Sequence, residues 1–296
     1  MDIKSYALGY SEDEAERLAV QGSFLEEPTE ALFRRAGIDR GMKVLDIGSG
    51  VGDVSFLAAR MVGPDGAVLG VDMSAPSLEI ARRRAASLGI TNVAFVQGDL
   101  ATLWLEQTFD ALVGRLVLLY VPDPVATVRR LSRCVRPGGV VAFNEYDTSA
   151  ASQTPETKVF RDAHDWIKQT LSFSGAKLDM GTALYATFLH AGLPCPQMMS
   201  TTRVACGGSS PMYAQMAWTV RSLLPVMERS GIASAEEVDV ETLADRLRRA
   251  AVEAESVTFS PRLVGAWPKI PRGMSCRDEV SEAHERASAR LLGRQE

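Results

Sequence analysis

Apolar residues occur along residues 42–147 in short runs that alternate with segments of helical spacing. The apolar runs predict β-strands over 42–47, 67–72, 92–97, 109–114 and 139–145. Apolar residues three and four positions apart predict α-helices over 52–62, 75–88 and 123–135. We expect the last of these helices to end before Pro137, because proline cannot continue a helix. The alternation predicts a parallel sheet with helices on both faces.

The pattern on either side of this region is mainly helical. Before it, one helix is predicted to run toward Leu25 and a second to start at Pro28. After it, the pattern predicts helices over 155–172, 178–191, 211–230 and 239–254, and strands over 197–205 and 256–264. The expected organisation is a helical cap at 1–40, one α/β domain over 41–270 with helical lid elements at 148–192 and 207–254, and a polar tail at 271–296.

A glycine-rich stretch after the first strand is the most informative motif. Gly48, Gly50 and Gly52 follow Asp46 at alternate positions and lead into a helix. Such a turn lets the backbone approach a ligand closely. A dinucleotide-binding turn has the spacing G-x-G-x-x-G, but Asp53 stands where its last glycine would be, and Asp46 would repel a pyrophosphate. The motif therefore favours a cofactor with a cationic or amino end over an anionic cofactor.

This stretch and four later segments resemble the class I S-adenosylmethionine (SAM)-dependent methyltransferases. The later segments are Val68–Met73, Phe95–Leu100, Phe109–Arg115 and Leu131–Phe143, in the order and spacing of that family. The resemblance covers residues 42–147 and is to small-molecule members of the UbiE-like or secondary-metabolite type. It implies a Rossmann-like, doubly wound α/β sheet of seven strands, mostly parallel, whose last hairpin is antiparallel.

The same resemblance implies roles for residues near the strand ends. Asp72 would accept hydrogen bonds from the ribose hydroxyls, and Met73 would pack on the adenine ring. Asp99 would accept a hydrogen bond from the adenine amino group, and Arg115 would lie beside the methionine end. The full set of expected cofactor-binding residues is Tyr10, Gln21, Asp46, Gly48, Ser49, Gly50, Asp72, Met73, Gly98, Asp99, Leu100, Gly114 and Arg115. A structural role, as a helix cap, a turn or a packed helix face, is the alternative for each.

Three residues are candidates for the chemistry. Methyl transfer from a sulfonium requires positioning and water exclusion, and a base only when the acceptor must lose a proton. Glu145, after the fifth strand, would remove a proton or stabilise a cationic intermediate, and Tyr146 would orient the acceptor. His164 lies on a helical stripe with Phe160 and Ile167. The alternatives are that one of Glu145 and Asp147 caps the next segment while the other is solvated, and that His164 is a core or rim residue.

A second apolar pattern lies in the later helical insertion. Its members at helical spacing are Met212, Met216, Val220, Leu223 and Met227. One interpretation is packing in a core or a dimer interface. The other is a flexible pocket for an apolar acceptor, which Trp166, Phe173 and Tyr185 would supplement.

Composition narrows the partners. A net charge of −5 gives no reason to expect nucleic acid or an anionic membrane. The four cysteines lack metal-ligand spacing, and Gly114 and Arg115 replace an acid of the metal-dependent members, so no metal is expected. The run Arg82–Arg84 is expected to form a solvated helix face. The start of the sequence has no secretory leader pattern, which favours a cytoplasmic protein, and a homodimer is compatible with the sequence.

The expected activity is transfer of the methyl group of SAM to a small, largely apolar acceptor of the quinone, isoprenoid, aromatic or secondary-metabolite type. Carbon or nitrogen is slightly favoured over oxygen as the atom methylated. Two alternatives stay open. An RNA or protein methyltransferase would share the cofactor motifs, and a non-catalytic SAM-binding or nicotinamide-binding protein would share the fold.

Overall fold

The computed structural model describes residues 12–272, except for the side chains of residues 12–21 and 23. A sheet of seven strands in the order β3-β2-β1-β4-β5-β10-β7 is its centre. These strands are β1 (Lys43–Ile47), β2 (Ala67–Asp72), β3 (Val93–Gln97), β4 (Phe109–Arg115), β5 (Val135–Asp147), β7 (Gln197–Thr201) and β10 (Arg262–Trp267). The first five are mutually parallel, whereas β10 runs antiparallel to β5 and to β7. The predicted doubly wound sheet is confirmed.

Helices flank this sheet and lie beyond its strand ends. They are α1 (Glu12–Ala36), α2 (Asp53–Val62), α3 (Ala75–Ser87), α4 (Pro124–Leu131), α5 (Lys158–Phe173), α6 (Met180–His190), α7 (Met212–Ser230), α8 (Ala235–Val238) and α9 (Val240–Glu253). None of the described helices combines the length and the apolar character that a membrane crossing requires.

Successive side chains of a strand point to opposite faces of the sheet and therefore contact different helices. In β1, Val44 packs with α1 and α2, whereas Leu45 and Ile47 pack with α4 and α6. We call these two sides the α1–α3 face and the α4/α6 face. Strands β2 and β4 lie on either side of β1. An open α/β sheet forms its ligand crevice at the carboxyl ends of such strands.

The predicted helix 123–135 is too long and the predicted strand 139–145 starts too late. Helix α4 ends at Leu131, a 3₁₀ turn follows, and β5 already begins at Val135. Pro137 and the two glycines lie inside this strand, where the β4–β5 pairing shifts register. A Cβ at Gly139 would stand 2.6 Å from the carbonyl oxygen of Asp110, so the strands meet here too closely for a side chain. The sequence thus forms a bulge, a place where strands tolerate proline and glycine.

Two predicted strands, 197–205 and 256–264, each divide between two sheets. One part of each, β7 and β10, belongs to the seven-stranded sheet. The other parts, β8 (Val204–Ala205) and β9 (Val257–Phe259), form a small sheet with β6 (Ser152–Thr154), in the order β6-β9-β8. The division falls at Ser260-Pro261, where proline cannot donate to a ladder. Ser260 instead bonds to Arg203, on the chain segment between β7 and β8.

Helix α1 is also longer than predicted, because it continues through Pro28 without a break. Leu25, Leu32 and Phe33 on this helix are all buried. Packing of these side chains on both sides of the proline outweighs the lost backbone hydrogen bond.

Helices α5, α7 and α9 form a separate apolar cluster, here called the helical layer. Val220, Leu223 and Met227 of α7 are fully buried in it, against Phe160 of α5 and Leu243 of α9. Of the three proposed additions to a methionine-lined pocket, Trp166 packs against this cluster, whereas Phe173 and Tyr185 are 63% and 46% exposed. The arrangement supports core packing as the role of the apolar stripe on α7.

A pair of leucines tests this role. Replacing the fully buried Leu223 by alanine is expected to lower the free energy of unfolding by about 2–5 kcal/mol, because it leaves a cavity. The matched change at Leu189, which is 39% exposed on α6, is expected to cost less than about 1 kcal/mol. Urea denaturation followed by circular dichroism measures both. Equal losses in the two variants would contradict core packing by α7.

Candidate functional site

The glycine loop between β1 and α2 lies at the carboxyl edge of the sheet. Gly48, Gly50 and Gly52 have φ angles of +67°, +52° and +95°, in the region that favours glycine. A Cβ at Gly48 would lie 2.4 Å from Cγ2 of Val117, so this glycine also allows close packing. Around Gly50, in contrast, no described heavy atom lies within 4 Å of the corresponding position. The loop therefore leaves an open cradle at Gly50, as a bound ligand requires.

Asp72, the last residue of β2, is tied to this loop. Its Oδ2 accepts a hydrogen bond of 2.8 Å from the N–H of Gly50, and its Oδ1 accepts one of 2.8 Å from the N–H of Ser74. Burial raises the pKa of Asp72, and these hydrogen bonds oppose the rise. Backbone N–H groups thus hold the carboxylate in place, and a carboxylate has about four acceptor sites, so Asp72 can also accept from a ligand hydroxyl.

Asp46, in β1, is a fully buried carboxyl group with one oxygen unpaired. Ser55 donates a hydrogen bond of 2.6 Å to Oδ2, whereas Oδ1 has no partner among the described residues. Burial raises the pKa of Asp46 to about 7. The Ser49 hydroxyl is likewise buried without a described partner. Unpaired buried acceptors are costly, so these two oxygens are candidates to receive a donor from a ligand.

Arg115 ends β4, on the same face of the sheet as Asp46. It stands directly opposite Asn144 of β5 in the strand pairing, and its Nη1 donates a hydrogen bond of 3.2 Å to the Thr29 hydroxyl of α1. No carboxylate oxygen of the described side chains forms an ion pair with it. Burial lowers the pKa of this guanidinium, and the negative charges of Asp53 and Asp46 oppose the shift. A guanidinium has five N–H donors, so Arg115 can bind an anion.

Helix α1 covers this part of the edge. A Cβ at Gly22 would lie 2.6 Å from Cγ of Asp53, the first residue of α2, so α1 packs directly on the end of the glycine loop. Gln21 lies in α1, but its side chain is outside the description, and Tyr10 lies outside the described residues. The predicted roles of these two residues stay predictions.

Arg84 braces the glycine loop, and its assignment to a solvated helix face is wrong. Its guanidinium donates hydrogen bonds of 2.7 Å to Asp53 and to the Val51 carbonyl, and it lies 5.3 Å from the centre of the Phe56 ring. The residue is 31 positions from Asp53 in the chain. The position of Arg84 in the helical pattern of α3 does not predict this contact, because the contact depends on how α3 packs against α2.

The segment after β3 holds the predicted adenine contacts. The N–H of Gly98 donates a hydrogen bond of 3.0 Å to the Asp72 carbonyl, so the segment lies beside the end of β2. Asp99 is exposed, and its Oδ1 accepts a hydrogen bond of 2.8 Å from the N–H of Ala101. Met73 is 52% exposed and Leu100 is half-buried. Apolar surface and a turn carboxylate thus lie side by side here, and the adenine contact stays a prediction.

Glu145 is fully buried on the α4/α6 face. Its Oε1 accepts hydrogen bonds of 3.0 Å from the N–H of Val117 and 2.7 Å from that of Leu118, while Oε2 has no partner in the described part of the chain. Burial raises the pKa of Glu145 to about 8. On the same strand, Asp147 accepts a hydrogen bond of 2.8 Å from the N–H of Thr182 in the first turn of α6.

Tyr146 and His164 lie in different surroundings. Tyr146 is half-buried on the α1–α3 face and lines a narrow pocket with Leu25 of α1 and Arg203. His164 is buried in α5, and its Nε2 lies 3.1 Å from the Thr148 carbonyl oxygen. Burial lowers the pKa of His164, and this contact opposes the shift. Their catalytic roles stay predictions.

Comparison with known proteins agrees with this geometry. A family model described as a methyltransferase domain matches residues 38–188. The arsenite methyltransferase of Aquipseudomonas alcaligenes is 39% identical over 113 residues, which are 36% of this chain and 33% of that protein. The ubiquinone/menaquinone biosynthesis C-methyltransferase UbiE of Cellvibrio japonicus is 36% identical over 131 residues, which are 43% of this chain and 53% of that protein. The chain thus spans a third to about half of the length of these relatives.

A solved structure extends the likeness to the fold. The YcgJ protein of Bacillus subtilis superposes with a TM-score of 0.56 at 19% identity, covering 83% of this chain and 100% of that one. The family model, which spans the strands and loops of the site, matches half of the chain. This protein therefore belongs to the class I SAM-dependent methyltransferases.

Proposed function

We propose that this protein transfers the methyl group of SAM to a small, largely apolar acceptor, without a metal ion. The acceptor is of the quinone, isoprenoid, aromatic or secondary-metabolite type, and carbon or nitrogen is the atom methylated. The observation that carries the proposal is a buried carboxyl group, Asp46, and a half-buried guanidinium, Arg115, on the same face of the sheet, which form no ion pair with each other or with other described residues.

Two charges of opposite sign match the amino acid end of SAM. The unpaired Oδ1 of Asp46 can accept hydrogen bonds from the amino group, and the donors of Arg115 can bind the carboxylate. A nicotinamide dinucleotide offers a pyrophosphate instead, which the carboxylate of Asp46 would repel. The site therefore favours SAM over the nicotinamide alternative.

The remaining parts of SAM fit the rest of the edge. Asp72 would accept hydrogen bonds from the ribose hydroxyls, and the open space at Gly50 admits the nucleoside close to the backbone. Met73 and Leu100 would contact the adenine, with Asp99 as acceptor for its amino group. These residues lie on the ends of β2 and β3, next to the glycine loop.

SAM supplies an electrophilic methyl group, and the protein orients the reacting atoms and excludes water from them. Arg115 and Asp46 fix the amino acid end, and α1 covers it, so that the reacting atoms are held in line and away from water. Oε1 of Glu145 is already engaged by two backbone N–H groups, and its pKa of about 8 keeps the carboxyl group protonated at neutral pH. These contacts support a mechanism of positioning rather than proton removal by Glu145.

Tyr146 is the predicted catalytic residue best placed to meet an acceptor. It is half-buried, and it lies on the same face as Arg115, whose charge it feels. Its phenol would orient the acceptor while its ring contacts the apolar part.

The two relatives are named for different acceptors, arsenite and a quinone. Radiolabelled SAM offered with a quinol, a polyprenylated phenol and arsenite tests the acceptor class, and transfer to arsenite alone would overturn the apolar assignment.

Truncated ligands test the assignment of Arg115. The variant Arg115→Met is expected to weaken binding of S-adenosylhomocysteine at least tenfold, or about 1.4 kcal/mol, because it loses a charge-assisted contact. Affinity for 5′-methylthioadenosine, which lacks the amino acid carbons and their charges, is expected to change less than about twofold. Calorimetric titration measures both.

Two further variants serve as controls for this experiment. Asp72→Ala is expected to weaken both ligands, because both carry the ribose. Arg83→Met, at an exposed position of α3, is expected to leave both affinities unchanged. Equal losses for the two ligands in Arg115→Met, or stronger binding of NAD than of S-adenosylhomocysteine by the wild type, would contradict the proposed site.

The raised pKa of Asp46 predicts a pH dependence of binding. The pKa is about 7 without ligand, and the amino group of S-adenosylhomocysteine binds the ionised carboxylate. Affinity is therefore expected to rise from pH 5.5 toward pH 7, by up to about tenfold per pH unit, and to be lost as pH falls through the pKa. In Asp46→Asn the profile is expected to be flat and weak. Titrations in a series of buffers decide this, and an unchanged slope in the variant would exclude Asp46 as the titrating group.

A tyrosine pair tests the acceptor side. Tyr146→Phe is expected to lower kcat/KM for the acceptor about tenfold or more while leaving the affinity for S-adenosylhomocysteine unchanged, because only the orienting hydroxyl is removed. Tyr185→Phe, at an exposed tyrosine of α6, is the matched control and is expected to be silent. Initial rates with a saturating cofactor provide the comparison. A Tyr146→Phe enzyme with wild-type kinetics would rule out the role of the phenol.

A further inference from the structure

The turn that follows β4 is held by two adjacent residues of β5. The N–H of Leu116 donates a hydrogen bond of 2.8 Å to the Asn144 carbonyl, and the next two N–H groups, of Val117 and Leu118, both donate to Oε1 of Glu145. Leu116 has a φ angle of +53°, a left-handed conformation that non-glycine residues rarely adopt. Such a conformation persists only where the surroundings hold it, and these three hydrogen bonds do so.

The side chain of this turn that faces the cofactor loop is Val117. A Cβ at Gly48 would lie 2.4 Å from Cγ2 of Val117, and a Cβ at Gly114 would lie 2.9 Å from its Cγ1. Val117 is buried and fills the space that both glycines leave. The position of Val117 therefore limits where the backbone of Gly48 lies relative to β4.

The backbone of Gly48 in turn starts the glycine loop. The N–H groups of Gly48 and Ser49 donate hydrogen bonds of 2.8 and 3.0 Å to the Val71 carbonyl, and that of Gly50 donates to Asp72. A displacement of Val117 thus changes the packing at the first residue of the cofactor loop. Arg115 directly precedes the held turn, so the same hydrogen bonds also fix the end of β4 that carries it.

We propose that Glu145 is a positioning residue for the cofactor site, which acts through the amides of Val117 and Leu118 on the packing of Val117 against Gly48. Glu145 holds the turn, the turn holds Val117, and Val117 sets the start of the glycine loop. The carboxyl group lies on the α4/α6 face, whereas Asp46 and Arg115 lie on the other face. The inference rests on the proposed function only in that the loop and Arg115 bind SAM.

The chemistry of the carboxyl group identifies its conservative substitute. Since burial keeps Glu145 protonated at neutral pH, it presents one carbonyl-type acceptor and one hydroxyl donor. Glutamine presents an acceptor and a donor of the same shape. Glu145→Gln is therefore expected to keep the turn in place, whereas Glu145→Ala leaves two buried N–H groups without an acceptor.

Hydrogen exchange of the full, unliganded chain tests the proposal without any enzymatic activity. In Glu145→Ala, exchange is expected to accelerate at least tenfold in peptides covering 114–120 and also in those covering 46–52. In Glu145→Gln, both regions are expected to stay within about threefold of the wild type. Asp147→Ala is the matched control, since it removes a buried carboxylate that holds the N–H of Thr182 from the same strand. It is expected to accelerate exchange at the start of α6 while 46–52 keeps its protection.

Affinity for S-adenosylhomocysteine is the second measurement. It is expected to fall at least tenfold in Glu145→Ala and less than threefold in Glu145→Gln. Acceleration confined to 114–120 in Glu145→Ala, or loss of protection at 46–52 in Asp147→Ala to the same degree, would overturn the proposal. If the wild type fails to bind S-adenosylhomocysteine, the proposed function fails, while the exchange pattern still decides the role of Glu145.

A variant at Val117 covers the case in which Glu145→Ala does not fold. Val117→Ala keeps both backbone donors to Glu145 and shortens the side chain that packs against Gly48 and Gly114. Exchange is expected to accelerate over 46–52 and to stay within about threefold of the wild type over 114–120. Unchanged exchange over 46–52 in this variant would show that Val117 does not transmit the effect and would overturn the proposal.

Discussion

The arrangement of side chains at the carboxyl edge of this sheet depends on one constraint, which is that buried polar groups need hydrogen-bond or charge partners. Asp46, Arg115 and Glu145 lie on three adjacent strands, and the two acids are fully buried while Arg115 is half-buried. A charge or a polar atom in that position is costly unless a hydrogen bond or an opposite charge satisfies it. Each of the three solves this differently. Glu145 stays protonated and accepts two backbone N–H groups, Asp46 uses one oxygen for Ser55, and Arg115 uses one donor for Thr29.

The hydrogen-bonding groups that still lack a partner give the two faces of the sheet edge different roles. On the α1–α3 face, the remaining capacity of Asp46 and Arg115 is complementary in sign and matches an amino acid. On the α4/α6 face, one oxygen of Glu145 and one of Asp147 accept backbone N–H groups, at the turn after β4 and at the start of α6. One face therefore supplies recognition, and the other supplies the rigidity that recognition requires.

The sequence predicted the parts of this structure that depend on local pattern. The alternation of apolar runs and helical spacing is sufficient for the sheet, and the motif from Asp46 to Asp53 indicates the family together with the four later segments in their order and spacing. It failed where tertiary packing overrides local preference. Pro137 and the two glycines lie within β5, at a bulge where Gly139 lies too close to the Asp110 carbonyl oxygen for a side chain. Helix α1 continues through Pro28 because its apolar residues pack on both sides of it. Arg84 carries no local signal, since its partner Asp53 lies on another helix.

The cluster Asn144-Glu145-Tyr146-Asp147 shows why proximity in sequence is a poor guide to a catalytic site on a strand. Successive side chains of a strand point to opposite faces. Asn144 and Tyr146 accordingly lie toward α1, with Leu32 and Leu25, whereas Glu145 and Asp147 lie toward the turn after β4 and toward α6. The acid adjacent to Tyr146 in the chain thus lies on the other side of the sheet from it. An acceptor beside Tyr146 would therefore meet the phenol but not the carboxyl group of Glu145, so the residue that follows Glu145 in the chain gains no base from it.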